Sequence, residues 1–383
     1  MASDHMGSSV SRRSFFACLA GSAALGLSAC VSGTSDGQSD VHLVAHSSEE
    51  YVSDSISSDE VIRSFDLHCD TIDTLCMHDL EPYASVDNGE NHDGDLESTD
   101  ASISYDRMND VRWAQCYAVW TPDDCPSVSH LDFYRRGAAY FHEQMELHKE
   151  HFTRVTDGRK IQKTVDGGKV AAILTIENSC ALEEGIEVLD EFERDGVMVC
   201  GLTWNGQNAV AGGAYSNVGL SALGREYVAE LEQRRMIVDV SHLSDKGFWE
   251  LEELAKRPYI ATHSNSRSVC DHPRNLTDDQ FKAIRDRGGL VGLAFFCDFV
   301  RGDGRDYEFE ELMGHVERWL DLGGEDVICL GSDRDGSRLP DWIRDCSTQG
   351  SLFAKASRHL GKEIAHKLFF SNAAEFFARA GRR

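Results

Sequence analysis

Ser64-Phe65-Asp66-Leu67-His68-Cys69-Asp70 decides how this chain is read. The alternating run ends in a His and an Asp two residues apart. On a strand such a pair projects to one side, so both side chains can reach the same point. An imidazole nitrogen and a carboxylate oxygen are ligands of a divalent metal that activates water. His-x-Asp is common by chance, so its weight comes from what recurs downstream.

Further short apolar runs follow, at Trp113–Trp120, Val170–Ile176, Val197–Thr203, Met236–Ser241, Tyr259–Thr262, Leu290–Phe296 and Val327–Gly331. Between them lie stretches with helical spacing, among them Leu131–Phe152, Ala222–Arg234, Asp245–Ala255, Asp278–Arg287 and Phe309–Leu322. With Ser64–His68 as the first strand, the alternation repeats eight times over roughly 320 residues, which predicts an α/β fold, a single (β/α)8 TIM barrel. A doubly wound open sheet competes, but no glycine-rich phosphate loop follows the first strand. Tyr83 to Ala101, acidic and Asn/Gly-rich, reads as a long first βα loop.

The polar residues at the strand ends carry more than the strand count. In chain order these are His68 and Asp70, Glu177, Trp204-Asn205, His242, His263 and Asp333. In a barrel those ends converge on the face that bears active sites. A lone buried histidine usually satisfies a core hydrogen bond, but ligand types at equivalent ends of five strands fit a metal centre far better.

The balance of 65 Asp+Glu against 38 Lys+Arg, net −27, leaves no basic stripe for a nucleic-acid partner and suits a solvated acidic surface. No apolar run reaches the length of a spanning helix. At the N-terminus, Ser11-Arg12-Arg13-Ser14-Phe15-Phe16 precedes the apolar stretch Ala17 to Leu27, and Leu27-Ser28-Ala29-Cys30 closes it. Residues 1–30 thus resemble a bacterial twin-arginine signal joined to a lipoprotein cleavage box, with Cys30 as the lipidated residue. Met6 offers an alternative start after Met1–His5. Residues 31–60, rich in Ser, Asp, Glu and Gly, read as a tether, and 61–383 as the barrel. The expected location is the outer face of the cell membrane, with membrane contact through the lipid alone. Beyond Cys18 and Cys30 the cysteines are scattered without a CxxC pair, which suggests buried thiols more than a disulfide framework.

From Ser64 to the C-terminus the chain resembles the membrane (renal) dipeptidase family of zinc metallopeptidases. The matching segments are Phe65–Asp70, Ala172–Glu177, Val238–Ser244, Thr262–Ser266, Pro273-Arg274-Asn275 and Gly331-Ser332-Asp333-Arg334-Asp335-Gly336. The resemblance implies two divalent ions, zinc by family, with His68 and Asp70 on one, His242 and His263 on the other, and Glu177 bridging. It further implies Asp333 as the proton shuttle and Arg274 as the holder of the substrate's free carboxylate. A local surface salt bridge is the plainer reading of Arg274.

Two departures stand out. Asn178-Ser179-Cys180 replaces the family's glycine pair and histidine, and Trp204 stands where the family has a substrate-contacting histidine. An indole N–H there could serve as an oxyanion donor or the ring could be a pocket wall, and the sequence leaves both open. The expected activity is hydrolysis of dipeptides with a free C-terminal carboxylate, with tolerance of a D-residue at the second position. Rival readings are an N-acyl-amino-acid or other amide hydrolase on the same site, and a non-catalytic binding lipoprotein. The expected partner is a small peptide substrate; a homodimer is left open.

Overall fold

The computed structural model describes residues 61–80 and 92–381. The arginine pair, Cys30, the tether and the first part of the long loop lie outside the described residues. Among the described residues nine parallel strands are present: β1 (Arg63–Cys69), β2 (Arg112–Trp120), β3 (Phe152–Arg154), β4 (Val170–Glu177), β5 (Val199–Gly201), β6 (Ile237–Asp239), β7 (Ile260–Ala261), β8 (Leu290–Leu293) and β9 (Ile328–Leu330). All but β3 form a closed ring in which β1 pairs with both β2 and β9, and β2 pairs directly with β4. The barrel expected from strand-helix alternation is therefore present, with each expected strand in its place.

The short strand β3 was not expected. Helical spacing continues to Phe152 in the sequence, but the helix is His130–Leu147, and Phe152–Arg154 instead pairs with the start of β4. Its end has a local cause. His148 sits between Asp95 and Glu97, at 2.9 and 3.1 Å, and His151 reaches the other oxygen of Glu97 at 2.9 Å. These contacts draw residues 148–151 off the helical path.

Four of the predicted helices start where a side chain can receive the free backbone N–H groups of a first turn. Ser129, Ser221, Ser244 and Thr277 cap His130–Leu147, Ala222–Arg234, Asp245–Leu254 and Asp278–Asp286 in this way. Among the described residues, no helix is long and apolar enough to cross a membrane.

One mouth of the barrel is sealed with apolar groups. The first residues of β5 to β8 (Val199, Ile237, Ile260 and Leu290) share a cluster with Phe65, Ala171, Phe370, Phe376 and Phe377. Phe65 meets Phe377 of the last helix, Asn372–Ala380, at a ring separation of 5.0 Å. That helix closes the N-terminal ends of the strands. The polar chemistry is left at the opposite mouth, where the strands end.

Candidate metal centre

His68, Asp70, Glu177, His242, His263, Arg274 and Asp333 come from six separate chain segments, yet the fold brings them together. None is more than 8% exposed. Glu177 lies at the middle. Its Oε2 is 3.2 Å from His68 Nε2 and its Oε1 is 2.8 Å from His242 Nε2. His68 Nε2 is also 3.5 Å from Asp70 Oδ2 and 3.8 Å from Asp333 Oδ1. The Nε2 atoms of His242 and His263 are 2.9 Å apart. Donor atoms of His68, Glu177 and His263 lie within 4.8 Å of one another, as do those of His68, Asp70 and Asp333.

The hydrogen bonds behind these rings define their tautomers. Asn205 Oδ1 lies 3.1 Å from His242 Nδ1, and an amide oxygen can only accept, so this nitrogen carries the proton. Thr262 Oγ1 donates to Asp239 Oδ2 at 2.7 Å and accepts from His263 Nδ1 at 2.9 Å. Both Nε2 atoms thus present lone pairs, close to each other and, at His242, to a carboxylate oxygen. Such crowding of acceptors calls for a cation between them. Arg274 supplies one: its Nη2 is 2.6 Å from His242 Nε2 and 2.8 Å from His263 Nε2, and its Nη1 donates to Ser241 O. The surface salt bridge considered for Arg274 is therefore replaced by a buried guanidinium inside the site.

The charge balance points the same way. Three carboxylates, the Arg274 guanidinium and the His68 imidazole share a place where unpaired charge is costly. Burial, reinforced by Asp70 and Glu177, raises the Asp333 carboxyl to about 7. Burial disfavours a proton on His68, but Glu177 and Asp70 outweigh it and raise its pKa well above the usual imidazole value. Burial and the Arg274 charge lower His242 to about 3, and burial with His68 and Arg274 holds His263 well below its usual value. Neutral imidazole is the metal-binding form. His68 Nε2 and Glu177 Oε2 are buried and face each other. The converging, buried imidazole nitrogens and carboxylate oxygens are a donor set that fits divalent ions.

Backbone geometry locks the two sides. Asp333 N donates to His68 O, and Asp70 N donates to Arg334 O. Asp333 has φ 61, a strained left-handed conformation. A Cβ on Gly336 would lie 1.7 Å from Asp70 Oδ2 and 2.7 Å from Asp333 Oδ1, so only glycine fits behind both carboxylates. Trp204 is half-buried at the rim, edge-on to Trp120 at 5.1 Å and 6.4 Å from the His242 ring.

Sequence reading missed the supporting shell. Asp239 accepts from Ser241 and Thr262, and Asp66 accepts from the backbone of His68 and from Ser332, so each ties neighbouring strand ends together. The one available signal was their position just ahead of the strand-end ligands.

The profile of the membrane dipeptidase family, peptidase family M19, matches residues 59–380. The chain belongs to the membrane dipeptidase family. It is accordingly a metallodipeptidase-type hydrolase, of a metal-dependent family. A solved dipeptidase, a metallopeptidase of the same M19 family, superposes with a TM-score of 0.73 at 25% identity, covering 84% of this dipeptidase and 99% of that chain. The metallopeptidase of Rhodobacter sphaeroides, solved with a phosphinate mimic of the dipeptide L-Ala-D-Ala, shares the fold with a TM-score of 0.72 at 24% identity, over 84% of this chain and 100% of its own. An uncharacterized protein in the pqqA 5′ region of Klebsiella pneumoniae is 35% identical over 196 residues, 48% of this chain and 72% of that protein. An uncharacterized dipeptidase of Schizosaccharomyces pombe is 31% identical over 198 residues, 50% of this chain but only 48% of its own length.

Proposed function

We propose that the enzyme is an exported zinc dipeptidase that hydrolyses dipeptides with a free C-terminal carboxylate and accepts a D-residue at the second position. The observation that carries this reading is Glu177, whose two oxygens face His68 on one side and His242 on the other. His68, Asp70, Glu177, His242 and His263 would hold two divalent ions, with Glu177 shared. Bound there, the ions supply an acidified water and a polarised carbonyl. Asp333, buried within reach of His68, would accept the proton of the attacking water and return it to the leaving amine. Arg274, its guanidinium carbon 5.0 Å over the Phe299 ring, would give up the His242 and His263 nitrogens to an ion and turn its fork to the substrate carboxylate. Trp204 forms a wall of the pocket.

L-Ala-D-Ala is the natural first probe, since a mimic of it is bound to the Rhodobacter protein that shares this fold. The test joins metal content with turnover of L,L- and L,D-dipeptides, their C-terminal amides and N-acyl amino acids. Two zinc equivalents, cleavage of both dipeptide classes and weak turnover of the amides are expected. Glu177→Gln should lower metal occupancy and cut turnover by orders of magnitude. Equal cleavage of free and amidated dipeptides would remove Arg274 from substrate binding, and preference for N-acyl amino acids would replace the dipeptidase reading.

The Arg12-Arg13 pair and Cys30 support twin-arginine export and lipid anchoring. Metabolic labelling with a fatty acid should mark the parent chain and not Cys30→Ser. An unlabelled parent chain would exclude the anchor.

A further inference from the structure

Beside the metal centre, but outside it, lies a second cluster of ligating side chains. One nitrogen of His130, Cys180 Sγ and a carboxylate oxygen of Glu183 lie within 4.8 Å of one another. His130 opens the helix His130–Leu147 beyond β2, and Cys180 and Glu183 belong to the 3-10 turn Cys180–Glu184 beyond β4. Because β2 and β4 are neighbours in the ring, the closed barrel places these two segments side by side. None of the three residues has a part in the dipeptidase chemistry above.

We propose that His130, Cys180 and Glu183 form a third metal site, selective for a thiophilic divalent ion such as zinc and sharing no ligand with the paired centre. The plainer reading is a His–Glu contact beside a buried thiol, since His130 Nδ1 is 3.1 Å from Glu183 Oε2. That contact leaves the other ring nitrogen unexplained: His130 Nε2 is buried and has no hydrogen-bond partner. In a simple surface pair it would face water. Cys180 is 1% exposed, and its Sγ, which donates to Asn178 Oδ1 at 3.2 Å, lies on the same side as the His130 and Glu183 donors.

One sulfur, one nitrogen and one oxygen, with a fourth position for water, form the donor set of a zinc-like ion; magnesium and calcium favour oxygen alone. Glu183 is half-exposed, which gives an ion a route from solvent. Binding breaks the Cys180 S–H bond, forms a sulfur–metal bond and releases the proton to water, with no change of oxidation state. Burial pushes the free Cys180 thiol up, so the thiolate forms only with a cation present. The site is joined to the paired centre through Asn178, whose Oδ1 receives Cys180 and Asn208 and which directly follows Glu177. A metal there would pin the turn that carries the bridging carboxylate.

The test is titration of the full-length, metal-loaded enzyme with cadmium, read by the ultraviolet thiolate-to-cadmium charge-transfer band. One equivalent of band is expected in the parent and none in Cys180→Ser. Losing even an outer partner of a metal site costs about 10–100-fold in affinity, so His130→Ala and Glu183→Gln should each weaken cadmium binding at least about tenfold. Absence of the band in the parent, or its survival in Cys180→Ser, would overturn the site. Should Cys180→Ser fail to fold, the other two variants decide, since His130 and Glu183 lie at the surface end of the cluster. Parent-like cadmium affinity in both would leave only a His–Glu contact.

Discussion

Asp333 combines three properties that a proton shuttle needs: burial, a raised carboxyl pKa and a backbone held at φ 61 within reach of His68. Asp333→Asn should retain the fold and the metals while losing ~10²–10⁴-fold in kcat, the usual contribution of a general acid/base. Loss of metal along with activity would make Asp333 chiefly a ligand. The same residue sets a stability signature in the metal-stripped protein. Its folded pKa, about 7, lies above the unfolded value of about 3.9. The folded state therefore keeps a proton that the unfolded chain gives up. This contribution is full below the unfolded pKa and is lost as pH rises through the folded one. Urea unfolding of the metal-stripped enzyme should show stability falling over that window, and Asp333→Asn should flatten the slope; an unchanged slope would show that Asp333 does not hold the proton. At the rim, the Trp204 indole lies edge-on to Trp120 and 6.4 Å from the His242 ring, and we propose that it acts as a wall. Trp204→Phe should then raise KM and leave kcat nearly unchanged, whereas a loss of ~10² in kcat would mark an oxyanion donor.

At the scale of elements, the turns after the strands decide whether ligands meet. The loop after β9 folds Gly336 against Asp70 and Asp333, so Gly336→Ala must displace one carboxylate or the loop itself. Metal content and activity should both fall steeply, while circular dichroism stays that of the parent; full metal occupancy would show that the loop yields at little cost. After β4, Asn178 occupies φ 71 where the family has glycine, and Asn is among the few side chains that tolerate this region. These strand-end motifs were legible because ligands two apart on a strand share a side and all strand ends of a barrel face one way. The supporting contacts were not. Asn205 meets His242 across 37 residues and Asp239 meets Thr262 across 23, separations that no local pattern encodes. Arg274 was found only through a motif on a loop, where burial has no periodic signal. The strand β3 was hidden because Phe152 continues a helical spacing that the contacts of His148 and His151 with Glu97 interrupt.

For the molecule as a whole, the barrel divides its work between two ends. The N-terminal mouth is apolar and closed by the last helix; the C-terminal mouth is polar and carries the chemistry. The C-terminal segment was the least legible part of the chain, because its apolar residues Phe369, Phe370, Phe376 and Phe377 signal burial without saying against what. The structure answers with Phe65 on β1, a residue of the same strand that ends in His68 and Asp70. Stability and activity are therefore separable along one strand. Phe377 is fully buried and touches nothing in the metal centre. Phe377→Ala should cost about 3–5 kcal/mol, the range for removing a buried aromatic ring from a core. Metal content and kcat per folded molecule should stay at the parent level when measured well below the unfolding midpoint. A drop in metal stoichiometry in the folded variant would show instead that the closing helix sets the spacing of the strand ends, and that the two mouths of the barrel are mechanically coupled.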